Sequence, residues 1–542
     1  MAVEQSSLGG AVDYGIVAAY VLGMLVVGGW VARRQRSTED FFVGSRRLPS
    51  WAVGISLLAS MFSTITYLGL PGEMFRSGVG YLIREVGIVV TFVVVWFVLV
   101  PFYSRLRLTS AYEYLEHRFN YATRALASLL CCLLLMGWMA VAVVTASRAL
   151  VEIMQWRLGW DPAGEAAQDS SIQSMILLIG GISLVYTTLG GLRAVVWTDV
   201  VQFAVMLFGA IYCLFFVAWS TDSTPLDWWH SWKSYPYRDA TPWWSWDVGQ
   251  RSSLSFIALG MTFWMLCTHG ANQVALQRYF AVSDLRAARR TYLVNAVANL
   301  ALVGLLAAVG YALFYLVWEV RAPLGKGIAS DHLAERVAAQ DSVFPQFIRI
   351  YVPPGMRGLV MAALLAAAMS TIDSGANSIA TLVLTDLIVR RSTRYPARQL
   401  LRWARITTAV ASFAIILFSL GLYHVSKTTD IITLCQKGFN CYLGPLGGLL
   451  CLALFCRKAT SATAIPAVLV GVAAGVASAY SAELFGIDYS THLVIPTAFF
   501  VTIAVGWCTS WLGGRPTRQQ TQWTWWQVVR HGPPVEATSE GL

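Results

Sequence analysis

Along the chain, long apolar runs alternate with short polar ones. The hydrocarbon core of a bilayer takes about 20 apolar residues per helix. Thirteen stretches meet that requirement: 11–32, 51–75, 80–103, 124–155, 171–189, 194–219, 253–277, 292–319, 356–384, 404–424, 431–456, 462–484 and 491–513. None alternates polar and apolar positions over about ten residues, as a membrane barrel strand does. The pattern predicts an all-α integral membrane protein of about 13 transmembrane helices, with 1–542 as a single transmembrane domain.

Composition sharpens this. The chain is 56% hydrophobic and 13% charged, against roughly 25% charged in soluble domains, and its mean hydropathy is +0.58. A soluble enzyme, a disordered chain and a disulfide scaffold are excluded. The net charge of +10 does not signal a nucleic-acid surface, because Lys and Arg fall in short clusters between apolar runs. The nine cysteines lie mostly inside those runs (Cys131, Cys132, Cys213, Cys451), so free thiols are expected. MAVEQSSLGG has no basic n-region, and no cleavable signal peptide is expected.

Arginines cluster after the odd-numbered spans: Arg33, Arg34, Arg36, Arg46 and Arg47; Arg105, Arg107, Arg118 and Arg124; Arg278, Arg286, Arg289 and Arg290; Arg390, Arg391, Arg394, Arg398 and Arg402. The positive-inside rule then puts the N-terminus outside and the C-terminus in the cytoplasm, in a multi-pass plasma-membrane protein. Two outer loops are long, 220–252 and 320–355. The first carries Trp228, Trp229, Trp232, Trp243, Trp244 and Trp246, either an interfacial belt or a lid over an outer vestibule. The tail from 514 to 542 is too short for a soluble domain.

Candidate chemistry lies where polar groups enter hydrocarbon, because they are costly there. The second span is dense in hydroxyls at Ser60, Ser63, Thr64 and Thr66, followed by Gly69, Pro71 and Gly72; it is expected to unwind near its centre. The seventh span is interrupted around Thr268-His269-Gly270-Ala271-Asn272-Gln273. Irregular backbone at that depth is tolerated where it lines a cavity, and two broken helices five spans apart point to an inverted repeat. The ninth span carries Ser370, Thr371, Ser374, Asn377, Ser378, Thr381 and Thr385 at helical spacing, with Asp373 on the same broad face. That stripe is either a small-polar packing seam or a cation site. Asp373 favours the site, since an ionised Asp at mid-membrane costs about 2.5–3.5 kcal/mol. Asp199 opens the sixth span. Carboxylates, hydroxyls and free carbonyls form an all-oxygen donor set suited to a hard cation; Na⁺ fits hydroxyls that do not titrate, and proton coupling stays open. Lys437 in the eleventh span is either a site cation or a side chain snorkelling to the interface. Arg84 and Glu85 are expected to pair with each other.

The chain resembles the sodium/solute symporter family over roughly residues 12–512. The resemblance rests on LLASMFSTITYLGLPGEMFRSG, VYTTLGGLRAVVWTDVVQF, THGANQVALQRYF, DSVFPQFIRIYVPPGMRGL and AAAMSTIDSGANSIATLVLTDL. ASMFSTITYLGLPGE is more similar to the monocarboxylate, anion and vitamin branch than to the sugar branch. The resemblance implies a leucine-transporter-type 5+5 inverted repeat with flanking helices, its core at about 51–456. It implies a sodium site on the carbonyls of Ala59, Phe62 and Ala367 and the hydroxyls of Ser370 and Thr371. A second sodium site would use Asp199, Ser370 and Ser374, with Asp373 where relatives often have a small residue. By the same resemblance Ser63, Thr66, Thr268 and His269 line the solute cavity, which Lys437 would join by meeting a carboxylate.

The expected function is Na⁺-coupled symport of a small organic solute bearing a carboxylate, by alternating access, with Na⁺ as coupling ion and the monomer as functional unit. The alternatives are a sugar, amino acid or inorganic anion as solute, or a transporter-like membrane sensor. No nucleophile–base pair stands out in the spans, so an enzyme is not expected.

Overall fold

The computed structural model describes residues 7–32, 35, 37–155, 165–235, 247–249, 253–320, 340–389, 395–426, 437–511, 514 and 516–534. Arg33, Arg34, Arg36, Arg390, Arg391, Arg394, Trp243, Trp244, Trp246 and most of loop 320–355 lie outside them. The described residues are helical, with no strand.

The main helices in chain order are α1 (Ser7–Ala32), α2 (Ser50–Met61), α3 (Thr64–Ser77), α4 (Gly80–Tyr103), α5 (Tyr121–Met154) and α6 (Glu165–Thr221). Then come α7 (Pro225–Ser234), α8 (Leu254–Ala271), α9 (Gln273–Phe280), α10 (Leu285–Trp318), α11 (Met356–Leu382), α12 (Ala397–Val425), α13 (Asn440–Phe455), α14 (Ser461–Ala479) and α15 (Val494–Thr509). Among the described residues ten helices are long and apolar enough to cross a membrane, or eleven with the bent pair α2 and α3 as one span. Thirteen is reached only by dividing α6 and adding the 16-residue α13. Fifty-seven residues at about 1.5 Å each far exceed one crossing. α6 changes course at Gly191, whose φ of 52° and ψ of −168° suit a residue without Cβ. A Cβ there would lie 2.6 Å from the Phe41 carbonyl oxygen.

The two broken helices sit where the hydroxyl and glycine interruptions place them. α2 and α3 meet at 69°, with Phe62 and Ser63 non-helical between them. The break precedes the glycine–proline cluster: α3 runs on through Gly69, Pro71 and Gly72. It starts on the Ser63 carbonyl, which accepts from the Thr66 and Tyr67 amides at 3.0 and 3.1 Å. α8 and α9 part at Asn272, in extended conformation (φ −79°, ψ 126°). Its side chain accepts from the Val274 amide at 2.9 Å, the N-cap that starts α9.

α11 occupies the centre: 94% of its membrane-length window is buried, against 17% for α1. The alanine-rich stretch Ala362 to Ala368 is buried throughout, as close helix packing requires. It runs into a π turn at Val383–Ile388. Trp228 and Trp232 do not face the interface. They lie on α7 and turn inward, Trp228 donating to Ser223 Oγ at 2.7 Å and Trp232 packing on Tyr311 and against Gly78, because a buried indole N–H needs an acceptor. The eight described cysteines are free.

Candidate functional site

The end of α2 is the first half of the site. A helix leaves its last carbonyls without intrahelical donors, and in mid-bundle those oxygens need other partners. The Ala59 carbonyl accepts from Ser370 Oγ of α11 at 2.9 Å. Ser370 Oγ also reaches the Ala367 carbonyl at 3.3 Å, and Thr371 Oγ1 donates to that same carbonyl at 3.0 Å. Phe62 closes α2 by donating its amide to Leu58 at 2.8 Å. All five residues are buried. Ser370 Oγ thus joins the Ala59 carbonyl of the broken helix to the Ala367 carbonyl of α11, which Thr371 Oγ1 also bonds; carbonyl and hydroxyl oxygens are donors of the kind a small hard cation takes. Among the described residues no group of three or more His, Cys, Asp or Glu could hold a metal ion.

Beside it, Asp199 is fully buried in the second half of α6. Ser56 Oγ donates to its Oδ2 at 2.5 Å and Ser60 Oγ lies at 3.4 Å. Its counter-charge is Arg278, at 3.6 Å. Sequence clustering placed Arg278, Arg118 and Arg124 among loop cations; the structure buries all three. Arg278 donates to Ser60 Oγ at 2.8 Å, Ser374 Oγ at 2.5 Å and the Val274 carbonyl at 3.1 Å. Arg118 caps the end of α13 by donating to Ala453, Cys456 and Ala459 carbonyls. Arg124 joins Asp386 at 2.5 Å and Glu116 at 2.9 Å, and Asp386 also accepts from Ser110 at 2.6 Å and Ser128 at 2.5 Å.

Asp373 stands apart from Asp199 and Ser374. It accepts from Ser183 and Tyr186, and from Thr187 Oγ1 at 2.7 Å, all on the first half of α6. Adjacent helical residues point about 100° apart, enough to give 373 and 374 different neighbours. The stripe on α11 divides in the same way. Ser370, Thr371 and Ser374 face the break, whereas Asn377, Ser378 and Thr381 surround the Gln277 amide at 2.9–3.0 Å.

Of the cavity candidates, Ser63 N-caps α3 without a side-chain capping bond, and Thr66 is partly exposed. Thr268 Oγ1 and Asn272 Nδ2 are buried without protein partners. His269 is held through Nδ1 by the Tyr279 hydroxyl at 2.9 Å, with the Tyr292 ring edge-on at 4.9 Å. The carbonyls at the end of α8 are taken up from outside the helix. Tyr103 donates to Gly270 at 2.8 Å and Tyr112 to Ala271 at 2.7 Å. Lys437 is not with this group: it bonds Glu483 and lies 5.5 Å from the centre of the Tyr480 ring. That bond holds the Glu483 carboxyl below its usual range. Arg84 and Glu85 pair at 3.1 Å, and Asn299 donates to Glu85 at 3.0 Å.

Sequence reasoning put Asn272 in the second break but missed its cap of α9, and it missed the interior ion pairs of Arg278 and Asp386. The signal for the last two was charge inside or at the rim of an apolar run. For Asn272 it was an N-cap residue two positions before Val274.

The chain is similar to known proteins. Residues 41–471 match the model of the sodium:solute symporter family. The chain is 28% identical to the sodium/sialic acid symporter of Proteus mirabilis, over 90% of this chain and 94% of that one. It is 30% identical to the human sodium/iodide cotransporter, over 90% of this chain and 73% of that one. It superposes with a TM-score of 0.80 and 26% identity on the substrate-bound outward-open state of a Na⁺-coupled sialic acid symporter, a structure that revealed a novel Na⁺ site; 94% of this chain and 99% of that one are covered. The chain therefore belongs to the sodium:solute symporter family, as a multi-pass membrane transporter of leucine-transporter type that couples solute movement to Na⁺.

Proposed function

We propose that the chain imports a small, carboxylate-bearing organic solute together with Na⁺ by alternating access, with Na⁺ held by the carbonyls of Ala59, Phe62 and Ala367 and the hydroxyls of Ser370 and Thr371. The observation that carries this is the Ser370 bond to the Ala59 carbonyl, which joins a broken-helix end to a hydroxyl pair on α11. Na⁺ at this seam bonds both elements and so favours the arrangement in which they touch. Its departure on the inner side frees them to separate. Entry of each charge is driven by about 2.3 kcal/mol per 100 mV of membrane potential.

The solute position follows from the second break. Ser63 and Thr66 on one side and Thr268 and His269 on the other offer hydroxyl and imidazole donors, and Thr268 Oγ1 has no protein partner to give up. A carboxylate class is supported by the sialic acid named for one relative; the iodide named for another supports an anion only. Lys437 stays outside this assignment, because Glu483 already answers its charge. We further assign the protein to the plasma membrane with its N-terminus outside, acting as a monomer with 1–542 as one domain.

The test is thermal stability of the purified protein against Na⁺, with K⁺ at matched ionic strength. A native-state ligand at a hundredfold excess over its Kd stabilises by about 2.7 kcal/mol. We expect a saturable, Na⁺-specific rise in Tm that Thr371→Ala abolishes, and a further rise on adding a carboxylate in Na⁺. Indistinguishable curves in Na⁺ and K⁺, or an unaltered Na⁺ response in Thr371→Ala, would remove the site.

A further inference from the structure

The segment after α15 crosses one face of the bundle. It holds two short helices, Arg518–Gln522 and Trp525–His531, and bonds three other elements. Trp525 donates its indole N–H to the Val98 carbonyl at 2.8 Å, inside the π turn Val95–Leu99 of α4. The Trp523 carbonyl accepts from the Tyr114 hydroxyl at 3.0 Å, and the Trp523 ring stacks on His117 at 4.5 Å. Gln520 donates to the Phe119 carbonyl at 3.1 Å, where the helix Glu113–Arg118 ends. Trp525 also packs on Phe455, the last residue of α13. Trp523, Thr524 and Val528 are buried. These attachment points lie at the ends of the third and eleventh spans and in the loop after the third, all on the side that the arginine pattern puts in the cytoplasm. We propose that residues 517–531 are a strap across that side, which holds the inner end of α4 to the helix Glu113–Arg118 and to the end of α13, and so opposes opening of the transporter to the inside. The proposal rests on the alternating-access reading above.

The strap joins elements that are fastened to different parts of the bundle. α4 follows the first broken span and packs along α8, the helix of the second break. The helix Glu113–Arg118 is tied elsewhere. Arg118 donates to the Ala453, Cys456 and Ala459 carbonyls at the end of α13, and Glu116 pairs with Arg124 of α5, which also holds Asp386 after α11. The contacts belong to an inward-closed arrangement: the Ser370 bond to the Ala59 carbonyl is made, and the chain superposes on an outward-open state. Moving α4 away from α13 breaks the Trp525 bond or the Tyr114 bond. A contact made in one of two states shifts their equilibrium by its differential interaction alone. Water that enters on opening can replace both partners, so each bond contributes only its modest net value. The strap is therefore a brake on the inner side and not a lock.

The experiment follows amide hydrogen exchange of the full-length purified chain in Na⁺-free buffer, which reads local opening segment by segment. Trp525→Phe and Tyr114→Phe keep an aromatic ring at each position and remove one strap bond apiece. Each is expected to speed exchange at 59–66 and 367–374, the seam between the broken helix and α11, by about two- to tenfold, the range set by the loss of one hydrogen bond. Faster exchange confined to 95–119 and 517–531 in either variant would make the tail a local packing element and overturn the proposal. Wild-type rates throughout either variant would overturn it as well. Leaving Na⁺ out keeps this result separate from the sodium assignment, which stands or falls on the Tm comparison of Na⁺ with K⁺.

Discussion

Single side chains in this protein are read by the partner they find. Ser370 and Ser378 are the same residue type on one stripe of one helix. The first reaches the Ala59 carbonyl at a helix break and the second the Gln277 amide in a packed seam. The packing-seam reading describes the part at Asn377, Ser378 and Thr381, and the proposed ion site takes the part at Ser370 and Thr371. Asn272 is the residue whose cost is most directly measurable, since its side chain supplies the cap of α9. Asn272→Ala is expected to lower stability by about 0.5–2 kcal/mol, the usual cost of losing an N-cap. A melt of the two proteins without Na⁺ checks this, and an unchanged Tm would show that the cap contributes nothing.

At the level of elements, what matters is where helices stop. α2 stops at Phe62 because the chain turns extended at Ser63, and its carbonyls become ligands for another helix. α6 does not stop; it folds over at Gly191 in a region of φ and ψ that costs other residues about 1–3 kcal/mol. The Gln35 side chain holds the Gly190 carbonyl at this corner. Gly191→Ala adds contact with Phe41 to that strain, so a loss at or above the upper end of that range is expected, read as reduced folded yield and Tm. A fully stable Gly191→Ala protein would mean that the corner is not a required turn.

For the molecule as a whole, the clamp between Arg124 of α5 and Asp386 in the π turn after α11 ties α11 to α5. Asp386 is fully buried and Arg124 nearly so, and removing one partner of a buried pair costs about 3–5 kcal/mol. Asp386→Asn is expected to lose an amount in that range. Adding Arg124→Gln is expected to recover part of it, as the thermal stabilities of both singles and the double will show. Additive losses would mean that the two residues do not act as a pair. π turns concentrate at functional sites, and this one lies where α11 leaves the bundle core.

The sequence by itself determined the membrane class, the two broken spans and the hydroxyl pair at Ser370 and Thr371. Hydropathy, helix-breaking backbone and helical spacing are local properties, readable within one stretch of chain. Only the tertiary structure decided that Arg278, Arg118 and Arg124 are interior cations, that Asp373 faces Ser183, Tyr186 and Thr187 and not Asp199, and that Lys437 belongs to Glu483. Each of those depends on the rotation and contact of helices far apart in the chain. A charge at the edge of an apolar run carries no local mark of whether it meets water or a buried carboxylate.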